Sequence, residues 1–433
     1  MKNQFSGWAR NRFFKCNFFE PRNLLELKKI NKKKIIPRGM GRSYGNSSIK
    51  KNSILLTHKI NKILNLDIKK KIIDVESGIS IKDLLKTIIP KNLFLPITPG
   101  SQNISIGGMV ASDVHGKNHH KKGSFRHQIL ELKLIDENGK LLICSKKRNR
   151  QLFNYTIGGM GLTGIIYSCK FKLIEIKSDL ILQEKIKTLN LKETIEKLKA
   201  SNKWDYNVGW IDSSANMPQL GRAIIYQGKH LNSSKNTNLK YKENNVFTIK
   251  KLFPSWLLNY LTIKILNKFY YLINFKGKSK INIFDYFYQL DKIKNWNLIY
   301  GKKGFISYQL VIPEKHAFES IKEILEILIK NKCYSFVSVI KFLGRQDGFT
   351  SFGIKGFTLV FDFPYYKNIK AILKNINEIV IKYNGRIYLC KDSFINLTQF
   401  KKMNTGFEDN IFKKIRSKKK KYFSSEQSKK LNI

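Results

Sequence analysis

The sequence predicts an α+β protein of two domains, the second a mixed, largely antiparallel sheet covered by helices. Three observations predict it. The chain has 433 residues, 42% of them hydrophobic, which is enough to bury two cores. Two glycine-rich loops lie among short strands before Lys177, where the character of the chain changes. Beyond residue 300, two strand–helix–strand units succeed one another.

Residues 1–30 carry Phe5, Trp8, Phe13, Phe14, Phe18 and Phe19 and read as an arm packed on the body. Lys34–Pro37 is a short strand running into Arg38-Gly39-Met40-Gly41-Arg42-Ser43-Tyr44-Gly45. Such a loop is tight and rich in N–H groups, suited to a pyrophosphate or simply to a turn. Asn52–Thr57 and Ile72–Glu76 read as strands. Ser80–Ile89 reads as a helix with Ser80 as N-cap, an apolar face of Ile81, Leu84, Leu85 and Ile88, and Pro90 as its end. Ile129–Ile135 and Lys140–Cys144 read as a hairpin about Asp136-Glu137-Asn138-Gly139. Gly159–Gly164 matches GxGxxG but runs into a strand, Ile165–Phe171, so a nicotinamide-binding unit is excluded by context.

In the second half, Leu191, Thr194, Ile195 and Leu198 give a helical face. Phe305–Ile312, Tyr334–Phe342, Phe357–Phe363 and Arg386–Cys390 read as strands. Ala317–Lys330 reads as a helix with Phe318, Ile321, Ile324, Leu325 and Leu328 inward, and Ile369–Tyr383 as one with Ile372, Ile376, Ile379 and Val380 inward. Between them Leu252–Phe275 is apolar and aromatic, interrupted by Lys264 and Lys268 and flanked by Lys250, Lys251, Lys276, Lys278 and Lys280. It reads as an interfacial segment on an anionic membrane or as a buried helical hairpin, and not as a spanning helix.

The stretch Phe94–Arg126 gathers Gly100, Gly107, Gly108, Gly116 and Gly123 with His115, His119 and His120. Glycines admit a phosphate group, and histidines beside them suggest chemistry next to a phosphorylated cofactor; a glycine-rich turn with solvated histidines is the plainer alternative. Lys+Arg 81 against Asp+Glu 31 gives a net charge of +50, spread over the chain with abundant Ile and Asn. Only Arg416–Tyr422 is a dense basic run, so a nucleic-acid partner is not expected. Five scattered cysteines without CxxC spacing suggest a reducing compartment and no metal site. The N-terminus MKNQFSGWARNRFF lacks the apolar core of a signal peptide.

The run PGSQNISIGGMVASDVHGKNHHKKGSF resembles the flavin-binding core of the vanillyl-alcohol-oxidase-like FAD oxidoreductases, with their PCMH-type FAD-binding fold. Within them it is most similar to the branch oxidising the 2′-hydroxyl of polyprenyl-phosphoryl pentoses, and the similarity is weakest between about Lys235 and Lys280. The resemblance implies an FAD-binding domain over 1–177, a substrate domain over 178–385, and a segment, 386–433, returning to the first. It implies FAD held by Arg38, Gly39, Gly41, Arg42, Ser43, Tyr44, Gly45, Pro99, Gly100, Ser101, Ile106, Gly107, Gly108, Ser112, His115, Gly116, Asn118, Gly161, Gly164, Ile165 and Tyr388. Some relatives attach flavin through a histidine in the first loop; this loop has none, so non-covalent FAD is expected.

By the same resemblance His115 and Lys117 stand in the HGKNHH motif, Gln309 in a YQFVIP-like strand, Lys341 in a VFKRFG-like one, and Lys391 in RIYLCKDS. Catalysis is thereby expected of Lys391, His115 and Lys117, and substrate binding of Lys117, Gln309, Lys341 and Lys391. Two departures are visible. Val360 stands where the family has a cysteine, and Tyr286–Asp291 replaces its FYHPLD run. The expected reaction is oxidation of the 2′-hydroxyl of a polyprenyl-phosphoryl pentose, the first half of an epimerisation in cell-wall polysaccharide synthesis that a short-chain reductase completes. The expected place is cytoplasmic, peripheral at the inner face of the plasma membrane. A sugar-1,4-lactone oxidase of the same superfamily is the alternative.

Overall fold

The computed structural model describes residues 3–30, 34–51, 53–232, 239–242, 247–391, 394–418 and 421–433, less the side chain of Asn202. Asn52 of the first expected strand, Lys235, Asp392 and Ser393 of RIYLCKDS, and Lys419 and Lys420 of the basic run lie outside them.

The first layer holds a three-stranded parallel sheet, Phe18–Phe19, Ile54–Leu56 and Ile36–Arg38. Beside it runs an antiparallel sheet in the order Leu141–Ser145, Ile129–Ile135, Ile165–Lys172, Ile72–Glu76, Ile63–Asp67. The N-terminal arm is a hairpin, Asn3–Ser6 against Phe13–Cys16. The helix Ile81–Ile88 starts where Ser80 Oγ accepts the Asp83 N–H at 3.0 Å. It buries Ile81, Leu84, Leu85 and Ile88, each contributing about 1.5–3 kcal/mol of burial. Ile106–Ala111, within the glycine-rich stretch, is a short helix capped by Ser105. Its Gly107 packs so closely on Ser77 that a Cβ would lie 2.8 Å from that side chain's Cβ. Helix packing is therefore a second reason for a glycine there.

The second layer is the largely antiparallel sheet expected, eight strands with every pairing antiparallel. Its order is Gly277–Asn282, Leu180–Thr188, Ala223–His230, Tyr206–Ile211, Ser338–Leu343, Gly356–Pro364, Phe305–Pro313, Arg386–Ile387. The helices Leu191–Lys199, Ala317–Lys330 and Ile369–Lys382 share one core with Tyr308, Leu310, Ile340, Leu359 and Phe361. Side chains alternate along a strand, so Gln309, Lys341, Val360 and Asp362 fall on the other face, with Ser307 bonded to Asp362 there.

Several expected elements shift. Phe318 is 42% exposed, because Ala317 and Ser320 hold the inward positions of that first turn. The strand expected from Tyr334 begins at Ser338, since Ser335 instead turns to accept the Asp362 N–H at 2.9 Å. The closing strand stops at Ile387, and the Lys391 N–H bonds Tyr388 O at 3.0 Å in a turn. Arg386–Ile387 completes the second sheet, while later residues return to the first layer: Phe423 bridges to Ile35, and Arg416 donates to Leu162 O at 2.7 Å. Leu252–Phe275 holds a single helix, Tyr260–Ile273, and not a hairpin. Ile263, Asn267 and Tyr271 are buried, whereas Leu261, Ile265, Leu266, Phe269 and Leu272 stand exposed. No helix of the described residues is long and apolar enough to cross a membrane.

A buried ion pair ties the layers together. Asp113 accepts the Arg126 N–H at 2.9 Å, lies 3.6 Å from Arg126 Nε, and takes bonds from Ser351 and Gln346 of the loop after Ser338–Leu343. Arg126 also donates to Asn154 O and Ile157 O at 2.9 and 2.6 Å. Removing one partner of such a pair leaves the other charge stranded. Asp113→Ala is therefore expected to lower stability by about 3–5 kcal/mol in a urea titration, and an unchanged midpoint would contradict the clamp.

Candidate functional site

The open sheet face and the loops of the first layer enclose a cavity of about 650 Å³. At one end lies the loop after Ile36–Arg38. Gly41 sits at φ +64°, which favours glycine. Gly39 is pressed against Ser105, where a Cβ would lie 2.0 Å from Oγ. The Trp8 N–H bonds Ser43 O at 2.9 Å, the Tyr44 N–H bonds Cys390 O at 2.8 Å, and the Arg42 guanidinium lies 3.9 Å over Trp8. The N–H groups of Gly39, Met40, Gly41, Arg42 and Ser43 meet no acceptor among the described residues. Across from them Gly100 has open space where a Cβ would stand. Ser101 Oγ and the Gln102 N–H hold Asp291 at 2.8 and 2.7 Å, which fixes this second loop. A cluster of unspent amides facing a cavity fits a pyrophosphate.

The N–H groups of Ile106, Gly107 and Gly108 are not available to it; they donate to Ile79 O, Ser77 O and Ser105 Oγ. Of the residues expected at the site, Gly39, Gly41, Arg42, Ser43, Tyr44, Pro99, Gly100, Ser101, Gly107, Gly108, Ser112, His115, Gly116, Gly161, Gly164 and Tyr388 line the cavity. Lys117, Gln309, Lys341 and Lys391 do so as well. Five stand behind its wall. Arg38 donates to Ser6 O at 2.8 Å and to Ser48 Oγ at 3.2 Å. Asn118 donates to Pro96 O at 2.8 Å, the Gly45 carbonyl backs onto Gly7, and Ile106 and Ile165 belong to the core.

Four basic side chains line the rest of the cavity, with Lys391 bordering the first loop through Tyr44. His115 Nε2 is 3.0 Å from Gln309 Nε2, which also donates to Thr358 Oγ1 at 3.1 Å. With Gln309 as donor, Nε2 accepts and the ring proton sits on Nδ1. Phe352 stacks on His115 with centroids 5.7 Å apart, and Tyr388 lies at 5.5 Å. Burial, then the Lys341 charge, holds the His115 pKa well below the usual value, so the ring is neutral at pH 7. Lys117 Nζ donates to Tyr286 O and lies 4.3 Å over that ring. Burial lowers Lys117 to about 7 and Lys341 to about 8, and each of these shifts includes the repulsion of another lysine. Lys391 Nζ lies 3.7 Å over the Tyr44 ring; burial lowers its pKa and Asp362 opposes the shift.

Several residues of the site were not singled out by sequence. Asp291 clamps the second loop, and Asp362 stands in the cavity wall. Period-two alternation along the 356–364 strand puts 362 on the face of Val360, so the signal was present. Val208, Trp210, Tyr226, Tyr270, Phe336 and Val337 form an apolar arm of the same cavity, assembled from distant strands and the Tyr260–Ile273 helix.

Residues 20–145 match the FAD binding domain family. Decaprenylphosphoryl-β-D-ribose oxidase of Mycolicibacterium smegmatis is 30% identical over 371 residues, 83% of this chain and 80% of that protein. L-gulonolactone oxidase of Bos taurus is 25% identical over 291 residues, 64% of this chain and 63% of that protein. The solved xylooligosaccharide oxidase of Myceliophthora thermophila C1, in complex with xylobiose, shares the fold, with a TM-score of 0.66 at 13% identity over 95% of this chain and 91% of that one. With an amide cradle for a dinucleotide at one end of its cavity and basic groups at the other, the chain belongs to the PCMH-type FAD-dependent oxidoreductases, in the family that includes decaprenylphosphoryl-β-D-ribose oxidase.

Proposed function

We propose that this enzyme oxidises a secondary hydroxyl of a lipid-linked sugar phosphate, the 2′-hydroxyl of a polyprenyl-phosphoryl pentose, to a ketone. The observation that carries the reading is the set of buried ammonium groups. Among the described residues no carboxylate offsets the burial of Lys117 or Lys341. A buried charge without a counter-charge is expensive, and an anionic handle on the substrate would supply one. A neutral aldonolactone, the substrate class of the lactone-oxidase alternative, would not.

Bound FAD would supply the hydride acceptor. Lys117 and Lys341 hold the phosphate, Gln309 keeps the His115 ring in one tautomer, and Lys391 stabilises negative charge as the alcohol loses its proton. The ketone is the first half of an epimerisation, which a short-chain reductase would complete. The lipid would leave by the apolar arm. Tyr270 lines that arm, meets the Trp210 ring at a tilt with centroids 4.8 Å apart and bonds the Tyr226 hydroxyl at 2.7 Å. It belongs to the helix whose outer face exposes Ile265 (67%) and Phe269 (59%), with Lys264, Lys268, Lys276, Lys278 and Lys280 exposed about it. Such a face suits an anionic bilayer. The enzyme would then work as a peripheral protein at the cytoplasmic face of the plasma membrane.

Acid precipitation should release all the yellow colour into the supernatant, since the Arg38–Gly45 loop has no histidine for attachment; colour left on the pellet would contradict it. Lys391→Ala should keep FAD yet slow substrate-driven bleaching by about 10²–10³ in a single turnover, and Lys391→Arg should restore it only in part. Bleaching at the wild-type rate would refute the role. On anionic vesicles, wild type should remain bound at high salt, because apolar burial is not screened. Ile265→Glu with Phe269→Glu should lose that salt-resistant fraction with FAD still bound, and equal binding would refute the docking face.

A further inference from the structure

Oxidation of a secondary alcohol takes a hydride from carbon and a proton from oxygen. The lysines and His115 leave that proton without a taker. Lys117 and Lys341, holding the phosphate, are already protonated; Lys391 acts as a cation toward the developing negative charge; and the free lone pair of His115 Nε2 faces Gln309 Nε2 at 3.0 Å. Tyr44 and Tyr300 stay protonated, because burial and then the Asp362 charge push both phenols well above the usual range.

We propose that Asp362 is the catalytic base, accepting the hydroxyl proton on Oδ2. The proposal rests on the alcohol-oxidation reading and adds to it. Asp362 lies in Gly356–Pro364, an interior strand bonded on both sides, and its register partner is Ser307. Ser307 Oγ donates to Oδ1 at 2.5 Å, and the Asp362 backbone N–H is fixed by Ser335 Oγ at 2.9 Å. Oδ2 takes no bond among the described residues, and the side chain lines the cavity with Lys391. One oxygen is thus anchored and the other is free to face a ligand. In the step, the O–H bond breaks and its proton goes to Oδ2. The C–H electron pair leaves as hydride to bound FAD, and the C=O bond forms. Substrate loses two electrons and the flavin gains them.

The titratable groups facing Asp362 are Lys391, Tyr44 and Tyr300. Burial raises its pKa, and Lys391 and the Ser307 bond oppose that rise. A base must be deprotonated, so bleaching should fall as pH drops through its pKa. Losing the Ser307 bond should move that limb to higher pH. The test is anaerobic single-turnover bleaching of the FAD-loaded enzyme by a polyprenyl-phosphoryl pentose across pH, together with infrared titration of the carboxyl band that Asp362→Asn removes. Asp362→Asn should keep FAD and bleach at least about 100-fold more slowly. Ser307→Ala should shift the acid limb and the infrared midpoint upward together. If Asp362→Asn bleaches within a few-fold of wild type, or if Ser307→Ala moves the infrared midpoint and not the rate limb, Asp362 is not the base. Should Asp362→Asn lose FAD, the two Ser307→Ala readouts decide alone. A wild type that no such substrate bleaches would overturn the functional reading, and this proposal with it.

Discussion

Three helices cover one face of the eight-stranded sheet, and the other face is left to the loops of the first layer and the Tyr260–Ile273 helix. That asymmetry decides where the site lies and which residues reach it. Odd and even positions along each strand divide between an apolar core and a cavity wall. Tyr308, Leu310, Leu359 and Phe361 enter the core, while Gln309, Val360 and Asp362 meet the cavity. A register slip of one residue in Phe305–Pro313 or Gly356–Pro364 would exchange the two sets, so apolar burial fixes the site's geometry as firmly as it fixes the fold. The Asp113–Arg126 pair and the Ser351 and Gln346 side chains then hold the first layer against this sheet.

Electrostatics divides the cavity in two. At the cradle end, unspent backbone amides supply partial positive charge without a titrating group, which suits a ligand that stays bound through turnover. At the other end the positive charge sits on lysines whose pKa values burial has lowered, to about 7 for Lys117 and about 8 for Lys341. Such groups gain protons as an anion arrives and release them as it leaves. The neutral His115 adds no further positive charge there.

Much of this was legible in the sequence. Ser80, the apolar face of Ile81–Ile88 and Pro90 marked that helix by local rules, and Asn138-Gly139 marked the hairpin. The HGKNHH stretch located His115 and Lys117, both in the cavity wall. The features that escaped depend on distant pairing. Ile106, Gly107 and Gly108 could be taken for phosphate ligands because nothing local shows that Ile79 O and Ser77 O claim two of their amides. Arg38 sits in the right loop, yet its side chain turns to the N-terminal arm. Asp291 reaches the second loop across 189 residues of sequence, and no local pattern announces that bond.

Removal of hydride from a secondary carbinol carbon of a phosphate-bearing sugar is the reaction this cavity is proposed to perform. Placing deuterium at C2 of the pentose in a polyprenyl-phosphoryl substrate, and watching flavin bleaching without oxygen, tests it at the reacting bond. The expected result is a primary isotope effect on bleaching with that label alone, and a 2-keto sugar as product. Bleaching unaffected by deuterium at C2, or a product oxidised at another carbon, would contradict it.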